Sequence, residues 1–382
     1  MSEYEDLTQH EIEALKQKYN LADAHTHQSQ SPTQRGIVER LPALWYEAEK
    51  TKQADMEKRF IETFFRVQKQ QYALRTPTML VYAASIAMVI AANYLLKKKM
   101  SVSLMHPCFD NLYDLLTNMQ VPVEPLQEEW FYDPKNIYEN LKKNVKTDAI
   151  FLVDPNNPTG FTPFKHGRHA YEEIVRFCKD KKKLLLIDYC FASFMLPDVN
   201  LDVFDVYELL ETSGVSYICI EDTGKTWPVQ DAKCALIKTS QDLYKEIYNI
   251  HTSYLLNVSP FILNLLTEYI LDSEKDNFAS VFDLLERNRQ IAKCELDGSI
   301  LEFQEPSSKV SVAWFKIKDP KVNATSLQKA ILKKGVYVLP GTYFFWSKRK
   351  DGERYIRIAL ARNTDMFEPA IKLVRKTLDQ YS

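Results

Sequence analysis

The chain of 382 residues is poor in glycine, and several easily recognised motifs are missing from it. Its 9 glycines form neither the glycine-rich fingerprint of dinucleotide-binding folds nor a Walker phosphate loop. No apolar run is long enough to span a bilayer, and the acidic, polar N-terminus is unlike a secretory signal. A formal net charge of −2 gives no electrostatic support for a nucleic-acid or membrane partner. These absences predict a cytoplasmic protein with neither partner.

The cysteines also lack a recognisable pattern. None of the 6 cysteines belongs to a C-x-x-C pair, which indicates reduced, mostly buried thiols. His25 and His27 are close in sequence, but without further ligands at metal spacing they make a weak metal site, so no metal is predicted. A hydrophobic content of 45% and a charged content of 26% are ordinary for a globular chain, and the length allows more than one packed unit.

From about residue 78 the sequence alternates between short apolar runs and helical patterns. Strands are predicted in "PTMLVYAAS", "SVSLMHP", "TDAIFLVDPNNPTG", "LLLIDYCF" and "SYICIEDTGK", and most are separated by helices. Continuous apolar strands of this kind indicate a mostly parallel sheet with helices on both faces. We therefore predict an α/β fold in which a ligand binds beyond the carboxyl ends of the strands.

The N-terminal part shows helical spacing without strands. Apolar residues at helical spacing predict one helical face, and they are Leu7, Ile12, Leu15 and Tyr19. Thr8 and Glu11 have the spacing of a capping box at the start of this helix. The polar stretch "ADAHTHQSQSPTQ" that follows is predicted to be extended or a loop.

After about residue 260 the pattern changes again. Ser259 is the predicted N-cap of a helix whose first residue is Pro260, and "VFDLLERNRQIAKCEL" continues helical. Strands predicted in "SKVSVAWFKI", "GVYVLPG" and "RYIRIALA" then form a smaller α+β unit. We predict three parts: an N-terminal segment, a large α/β domain and a small α+β domain, over residues 1–40, 41–265 and 266–382.

Polar groups follow the predicted strands of the large domain at their carboxyl ends, and together they suit a phosphorylated pyridine aldehyde. The amine of Lys225 can form a Schiff base with the aldehyde. Asp188 can keep the ring nitrogen protonated, so that the ring acts as an electron sink. Asn157 can hold the phenolic oxygen, and Phe109 can stack on the ring. These residues predict bound pyridoxal 5'-phosphate.

The phosphate group needs backbone N–H groups at a helix N-terminus and a cation nearby. The residues assigned to the cofactor's surroundings are Ala84, Ser85, Ile86, Thr223 and Lys233. Each residue of the cofactor set taken alone has a commoner role as a turn, a cap, a core aromatic or a solvated lysine. Their occurrence in order at successive strand ends is what favours the joint prediction.

Five segments resemble the fold-type I pyridoxal-phosphate enzymes of the aspartate aminotransferase superfamily. They are "HPCF", "DPNNPTG", "LLLIDYCF", "DTGKTWPVQDAK" and "YIRIALAR", within about residues 80–362. The resemblance implies a homodimer in which Arg357 clamps the α-carboxylate of the substrate. Two positions depart from the common pattern, because Lys233 replaces an arginine and Phe191 replaces a tyrosine that donates to the phenolic oxygen.

A narrower resemblance includes the N-terminal segment. The stretches "LADAHTHQSQSP", "IVERLPALWYEAE", "HPCFDNLYDLL", "IEDTGKTWP" and "NVSPFIL" are similar to pyridoxal-phosphate- and dioxygen-dependent arginine oxidases of enduracididine, azomycin and indolmycin biosynthesis. In that family an N-terminal helix folds over the site, and Thr8 and Glu11 match positions there. Asp23 and Asp222 match acids near the guanidinium, which demands carboxylates. His25 matches a histidine important for the oxidative chemistry.

The favoured hypothesis is therefore a cytoplasmic, homodimeric L-arginine oxidase that uses pyridoxal phosphate and dioxygen. Its catalytic residues would be Lys225, His25 and Asp188, and the product would be 4,5-didehydroarginine, 4-hydroxy-2-oxoarginine or 2-oxoarginine. One alternative is an aminotransferase for a basic amino acid. Another is a binding module that keeps the fold without catalysis.

Overall fold

The structure, a computed structural model, describes residues 6–381. Residues 1–5 of the predicted N-terminal segment and residue 382 of the predicted small domain lie outside the described residues. The helices are α1 (Leu7–Ala14), α2 (Pro32–Glu39), α3 (Leu41–Lys50), α4 (Gln53–Val67), α5 (Ala84–Lys97), α6 (Asn111–Asn118), α7 (Ile137–Asn144), α8 (Arg168–Asp180), α9 (Val206–Ser213), α10 (Gln241–Tyr254), α11 (Pro260–Lys275), α12 (Ala279–Leu296), α13 (Ala324–Leu332), α14 (Arg349–Gly352) and α15 (Thr364–Leu378).

The strands form three sheets. They are β1 (Tyr19–Asn20), β2 (Met79–Val81), β3 (Val102–His106), β4 (Val123–Gln127), β5 (Ala149–Val153), β6 (Leu184–Tyr189), β7 (Tyr217–Asp222), β8 (Ala235–Thr239), β9 (Leu301–Gln304), β10 (Val312–Ile317), β11 (Val336–Tyr337), β12 (Leu339–Pro340) and β13 (Tyr355–Ala359).

The large sheet has the strand order β2-β8-β7-β6-β5-β3-β4. Only β8 runs antiparallel to its neighbours, so the prediction of a mostly parallel sheet is confirmed. Strands β3, β5, β6, β7 and β8 are buried along their whole length. Burial on both faces explains why these segments are continuous apolar runs rather than alternating ones. The edge strand β4 is half-exposed, and its weaker apolar pattern was missed.

The small sheet is antiparallel, with the order β12-β13-β10-β9. The single strand predicted in "GVYVLPG" is wrong, because the chain changes partner at Val338. Before that residue, β11 pairs in parallel with β1 of the N-terminal segment, and after it β12 joins the small sheet. The predicted domain boundaries stay predictions.

Helix α1 corrects two expectations. Its N-cap is Asp6, whose side chain accepts from the Gln9 N–H, so the capping box of Thr8 and Glu11 is not formed. The helix ends at Ala14, and the expected apolar face fails because Ile12 and Leu15 are 56% and 59% exposed. Instead, the buried residues of α1 include a polar one, and they are Leu7, His10 and Ala14.

Other local expectations concern helix α11, the thiols and the membrane. Pro260 is the first residue of α11 and Ser259 its N-cap residue, as predicted, although the serine makes no side-chain capping bond. All 6 cysteines are free, and 4 of them are buried. Within residues 6–381 no helix has both the length and the apolar character that crossing a bilayer requires.

Candidate active site

A cavity of about 320 Å³ lies beyond the carboxyl ends of the parallel strands, where the sequence predicted a ligand. Most of the predicted site residues line it, although they come from distant parts of the chain. The predicted residues in its lining are Thr8, Glu11, His25, Ala84, Ser85, Phe109, Asn157, Asp188, Asp222, Lys225 and Lys233. Four others lie outside the lining: Asp23, Ile86, Thr223 and Arg357.

Lys225 is presented by a short loop after β7. Gly224 keeps this loop tight, because a Cβ there would lie 2.7 Å from Cδ of Lys233. The hydroxyl of Thr223 donates to the carbonyl and accepts from the N–H of Cys234, both at 2.9 Å. Thr223 therefore ties the loop to the start of β8 instead of facing the cavity. The amine of Lys225 lies 3.3 Å from Nε2 of His25.

The floor of the cavity is formed by Asp188 on β6 and Asp222 at the end of β7. Burial raises the pKa of Asp188 to about 6, although the N–H of Cys190 and the charge of Lys225 act the other way. Burial also raises the pKa of Asp222, again against the lowering effect of Lys225. Oδ1 of Asp222 is buried and has no hydrogen-bond partner within residues 6–381. The floor thus holds carboxylates that lack a full set of positive partners.

The wall of the cavity is the segment 20–27, which carries Asp23, His25 and His27. The guanidinium of Arg362 is buried behind it and donates to the carbonyls of Asn20, Asp23 and His25 at 2.6, 2.6 and 3.0 Å. Asp23 binds both histidine rings: its Oδ1 lies 2.6 Å from Nδ1 of His25, and its Oδ2 is hydrogen-bonded to Nε2 of His27.

Asp23 therefore differs from the sequence prediction, which placed it against a guanidinium ligand. Burial opposes its ionisation, but the hydrogen bonds from His25 and His27 and the charge of Arg362 hold its pKa well below the usual range. Both of its oxygens are already paired, so the side chain lies behind His25 and outside the cavity lining. A sequence match could not show this, because it depends on which groups surround the carboxylate.

Arg357 on β13 is fully buried and also lies outside the cavity lining. Its Nη1 donates to Oδ1 of Asn157 at 3.0 Å, and Nη2 donates to Oε1 of Glu11 at 2.9 Å and to the Ala22 carbonyl. Burial lowers the pKa of Arg357, and the charge of Glu11 opposes this. Helix α1 thereby places a carboxylate on the arginine that was predicted to bind a substrate carboxylate.

The cavity lining also contains most of the predicted phosphate-binding groups. Ala84 and Ser85 open helix α5 and line the cavity. The N–H of Ile86 instead donates to the Ala83 carbonyl at 3.0 Å, so Ile86 departs from its predicted role. Lys233 lines the cavity, and its Nζ donates to Oδ1 of Asp231 in the same loop at 3.0 Å.

Aromatic residues complete the lining. Phe109 lies edge-on to Phe344, with ring centroids 6.2 Å apart. Phe191 lines the cavity and packs edge-on against Phe194, so a ring without a hydroxyl stands at the position where the resemblance led us to expect a tyrosine.

Two residues of the site were not assigned from the sequence. Arg362 ends the quoted stretch "YIRIALAR", but nothing in that pattern distinguishes it from a solvated arginine. His27 was considered only for a metal site, and within the described chain no group of three or more metal-binding side chains occurs. The hydrogen bonds of both residues depend on contacts between segment 20–27 and distant parts of the chain, which no local pattern records.

Comparison with known proteins identifies the class of enzyme. Residues 46–373 match the family aminotransferase class I and II, and the chain belongs to that family. An LL-diaminopimelate aminotransferase of Maridesulfovibrio salexigens is 23% identical over 262 residues, which cover 67% of this chain and 63% of that protein. An L-serine phosphate decarboxylase of Campylobacter jejuni is 24% identical over 265 residues, covering 67% and 63%. The match thus spans less than two thirds of the length of these relatives.

Solved structures give a fuller match. The structure of MppP soaked with the product 2-ketoarginine has a TM-score of 0.85 at 29% identity, and the match covers 94% of this chain and 99% of that one. The α-aminoadipate aminotransferase LysN of Thermus thermophilus has a TM-score of 0.78 at 13% identity, with coverage of 98% and 95%. The fold is therefore the aspartate aminotransferase-like fold type I, as predicted.

The chain is an enzyme of the pyridoxal-phosphate-dependent aminotransferase superfamily, and its cofactor is pyridoxal 5'-phosphate. The residues of the cavity fit this group. An amine, Lys225, projects into the cavity, and the buried Asp188 lacks a cation that a protonated pyridine nitrogen would supply. The start of α5 and Lys233 offer N–H groups and positive charge for a phosphate.

Proposed function

We propose that this enzyme oxidises L-arginine with dioxygen in the biosynthesis of a natural product. The observation that carries the proposal is Asp222, a buried carboxylate of the cavity lining that lies near the positive charge of Lys225 and whose Oδ1 has no hydrogen-bond partner among residues 6–381. A guanidinium cannot be neutralised and brings several N–H donors to such a group. The similarity to MppP, soaked with 2-ketoarginine, supports the same substrate class.

The residues of the chain divide the work between binding and proton transfer. Pyridoxal phosphate supplies the electron sink and the path of electrons to dioxygen when it is bound. Lys225 Nζ would hold the cofactor and would also accept the proton from the α-carbon of the substrate. Asp188 keeps the proton on the pyridine nitrogen. His25, 3.3 Å from Lys225 Nζ, exchanges protons with that amine.

Substrate recognition would use both ends of the cavity. Asp222 would bind the guanidinium, with Glu11 and Thr8 of the same lining as further partners once Glu11 is released from Arg357, and Arg357 would bind the α-carboxylate. Glu11 already holds Arg357, so a carboxylate that reaches this arginine has to replace Glu11 there. L-Arginine would provide a new partner for each of the two separated residues: its α-carboxylate would pair with Arg357, and its guanidinium would pair with Glu11.

Oxygen uptake tests the proposal directly. The loaded enzyme should consume dioxygen when mixed with L-arginine and should release 4,5-didehydroarginine, 4-hydroxy-2-oxoarginine or 2-oxoarginine. Mass spectrometry of the product in isotopically labelled water distinguishes these products. Failure to consume oxygen with arginine and with every other guanidino amino acid would overturn the proposal.

A second candidate is an aminotransferase for a basic amino acid, which the family and its curated relatives favour. It requires a 2-oxo acid acceptor and no dioxygen, so acceptor dependence under nitrogen would establish it. For either activity we propose a homodimer, which sedimentation of the loaded enzyme would test.

A further inference from the structure

Asp23 connects two histidines and a lysine in one hydrogen-bonded line. Lys225 Nζ lies 3.3 Å from Nε2 of His25, and Nδ1 of His25 lies 2.6 Å from Oδ1 of Asp23. Oδ2 of Asp23 bonds in turn to Nε2 of His27. Both imidazoles therefore share a single carboxylate, which is only 5% exposed.

The two histidines have different surroundings. His25 lines the cavity. His27 is outside that lining, and its side chain is 38% exposed. The backbone N–H of His27 donates to the Ala361 carbonyl at 3.0 Å. The line of groups thus runs from the amine in the cavity, through a buried carboxylate, to a ring in contact with solvent.

Sharing one carboxylate makes the two rings competitors for its negative charge. When His27 is protonated, part of the attraction that Asp23 exerts on a proton at His25 is offset by the positive charge of the outer ring. We propose that His27 is a positioning residue that acts through Asp23 and sets the pH at which His25 exchanges a proton with Lys225. The inference deepens the proposed function, on which its catalytic meaning rests.

Other charges also face His25 and Asp23, and they have to be held constant. Lys225 and Asp222 lie on the cavity side, Asp231 belongs to the loop before β8, and Arg362 and Arg357 lie behind the wall. None of these groups is altered by a substitution at His27. A comparison of variants at that one position therefore isolates the effect of its charge.

Two variants with opposite charge make the test sharp. His27→Asn keeps an N–H donor but removes the charge, whereas His27→Arg makes the charge permanent. In the cofactor-free protein, nitrogen-15 NMR should follow the titration of the His25 ring. We expect the midpoint to rise in His27→Asn and to fall in His27→Arg, each by on the order of half to one pH unit. His169→Asn, at an exposed histidine, is the matched control and should change nothing.

The pH profile of the loaded enzyme should move in the same two directions. Shifts of equal sign in both variants, or no shift in either, would reduce His27 to a structural role and overturn the inference. His27→Gln replaces His27→Asn if the latter does not fold. Opposite NMR shifts in a protein that consumes no oxygen would retain the coupling and reject the proposed function. Oxygen consumption with an unshifted titration of His25 in both variants would retain the proposed function and reject the coupling.

Discussion

The floor and the wall of the cavity both contain buried carboxylates, but their charge balance is opposite. On the floor, burial raises the pKa of Asp188 and of Asp222, because the nearby positive charge does not compensate for lost hydration. In the wall, two histidines and Arg362 more than compensate, and the pKa of Asp23 is lowered. Asp23 is therefore already paired, whereas the floor carboxylates would be stabilised in their ionised form by additional positive charge.

The two regions also differ in construction. The floor carboxylates belong to neighbouring strands, β6 and β7, which are joined by regular backbone pairing. Segment 20–27 is instead held by a few backbone bonds, such as that of the His27 backbone N–H to the Ala361 carbonyl, together with the bonds from Arg362 to three of its carbonyls. A substitution at Arg362 can therefore loosen the wall, whereas the floor is fixed by backbone pairing in the sheet.

The largest effect is expected at the amine between floor and wall. Lys225→Ala should abolish covalent attachment of pyridoxal phosphate and all turnover, because it removes the amine to which we assign the Schiff base. Absorbance of the bound cofactor and oxygen uptake check this. Lys372→Ala, at an exposed lysine paired with Glu368, is the matched control. Retained attachment in Lys225→Ala would show that another amine carries the cofactor.

The charge of the floor can be tested by pH in the cofactor-free protein. The folded-state pKa of Asp188, about 6, lies above the ordinary 3.8, so its protonated form stabilises the fold below about pH 4. This contribution is lost as the pH rises through 6, by on the order of 3 kcal/mol. Asp188→Asn should remove this pH-dependent decrease in the free energy of unfolding. Urea unfolding from pH 4 to 7.5 would measure it. An unchanged decline in the variant would contradict a raised Asp188 pKa.

Specificity should depend on the other carboxylate of the floor. Asp222→Asn should weaken the recognition of arginine by about 1.5–3 kcal/mol, because a charged hydrogen bond to the guanidinium is lost. The ratio of kcat/KM for arginine to that for an amino acid without a guanidinium measures this. Asp231→Asn, at a more exposed position of the same region, is the control. Equal losses for both substrates would remove the guanidinium role of Asp222.

The smallest effect is expected behind the wall. In Arg362→Lys a single ammonium group replaces the planar guanidinium that now donates to several carbonyls. The free energy of local opening of segment 20–27 should therefore fall by about 1–2 kcal/mol. Hydrogen exchange of that segment would measure the change, with the floor strands as internal reference. Arg375→Lys, at an exposed arginine paired with Asp379, is the control. Exchange that is unchanged in segment 20–27 would show that the wall does not depend on Arg362.

The location of the floor residues could be predicted because strand ends are local features; their chemical roles stay predictions. Asp188 and Lys225 follow apolar runs, and all parallel strands end at one edge of their sheet, so their proximity follows from topology. The wall was predicted less well. Asp23 and Arg357 were identified, but both were expected to touch the ligand, and Arg362 was not assigned.

The α/β sheet and the positions of Lys225, Asp188 and Asp222 at the ends of its strands follow from the amino-acid sequence, because strand periodicity and topology place them. Only the tertiary structure decided which charges are already paired. Segment 20–27 reaches Arg362 and Arg357 across more than three hundred residues of chain, and helix α1 brings Glu11 onto Arg357. Charge pairing depends on distances and burial between such remote segments, and no local pattern of residues records them.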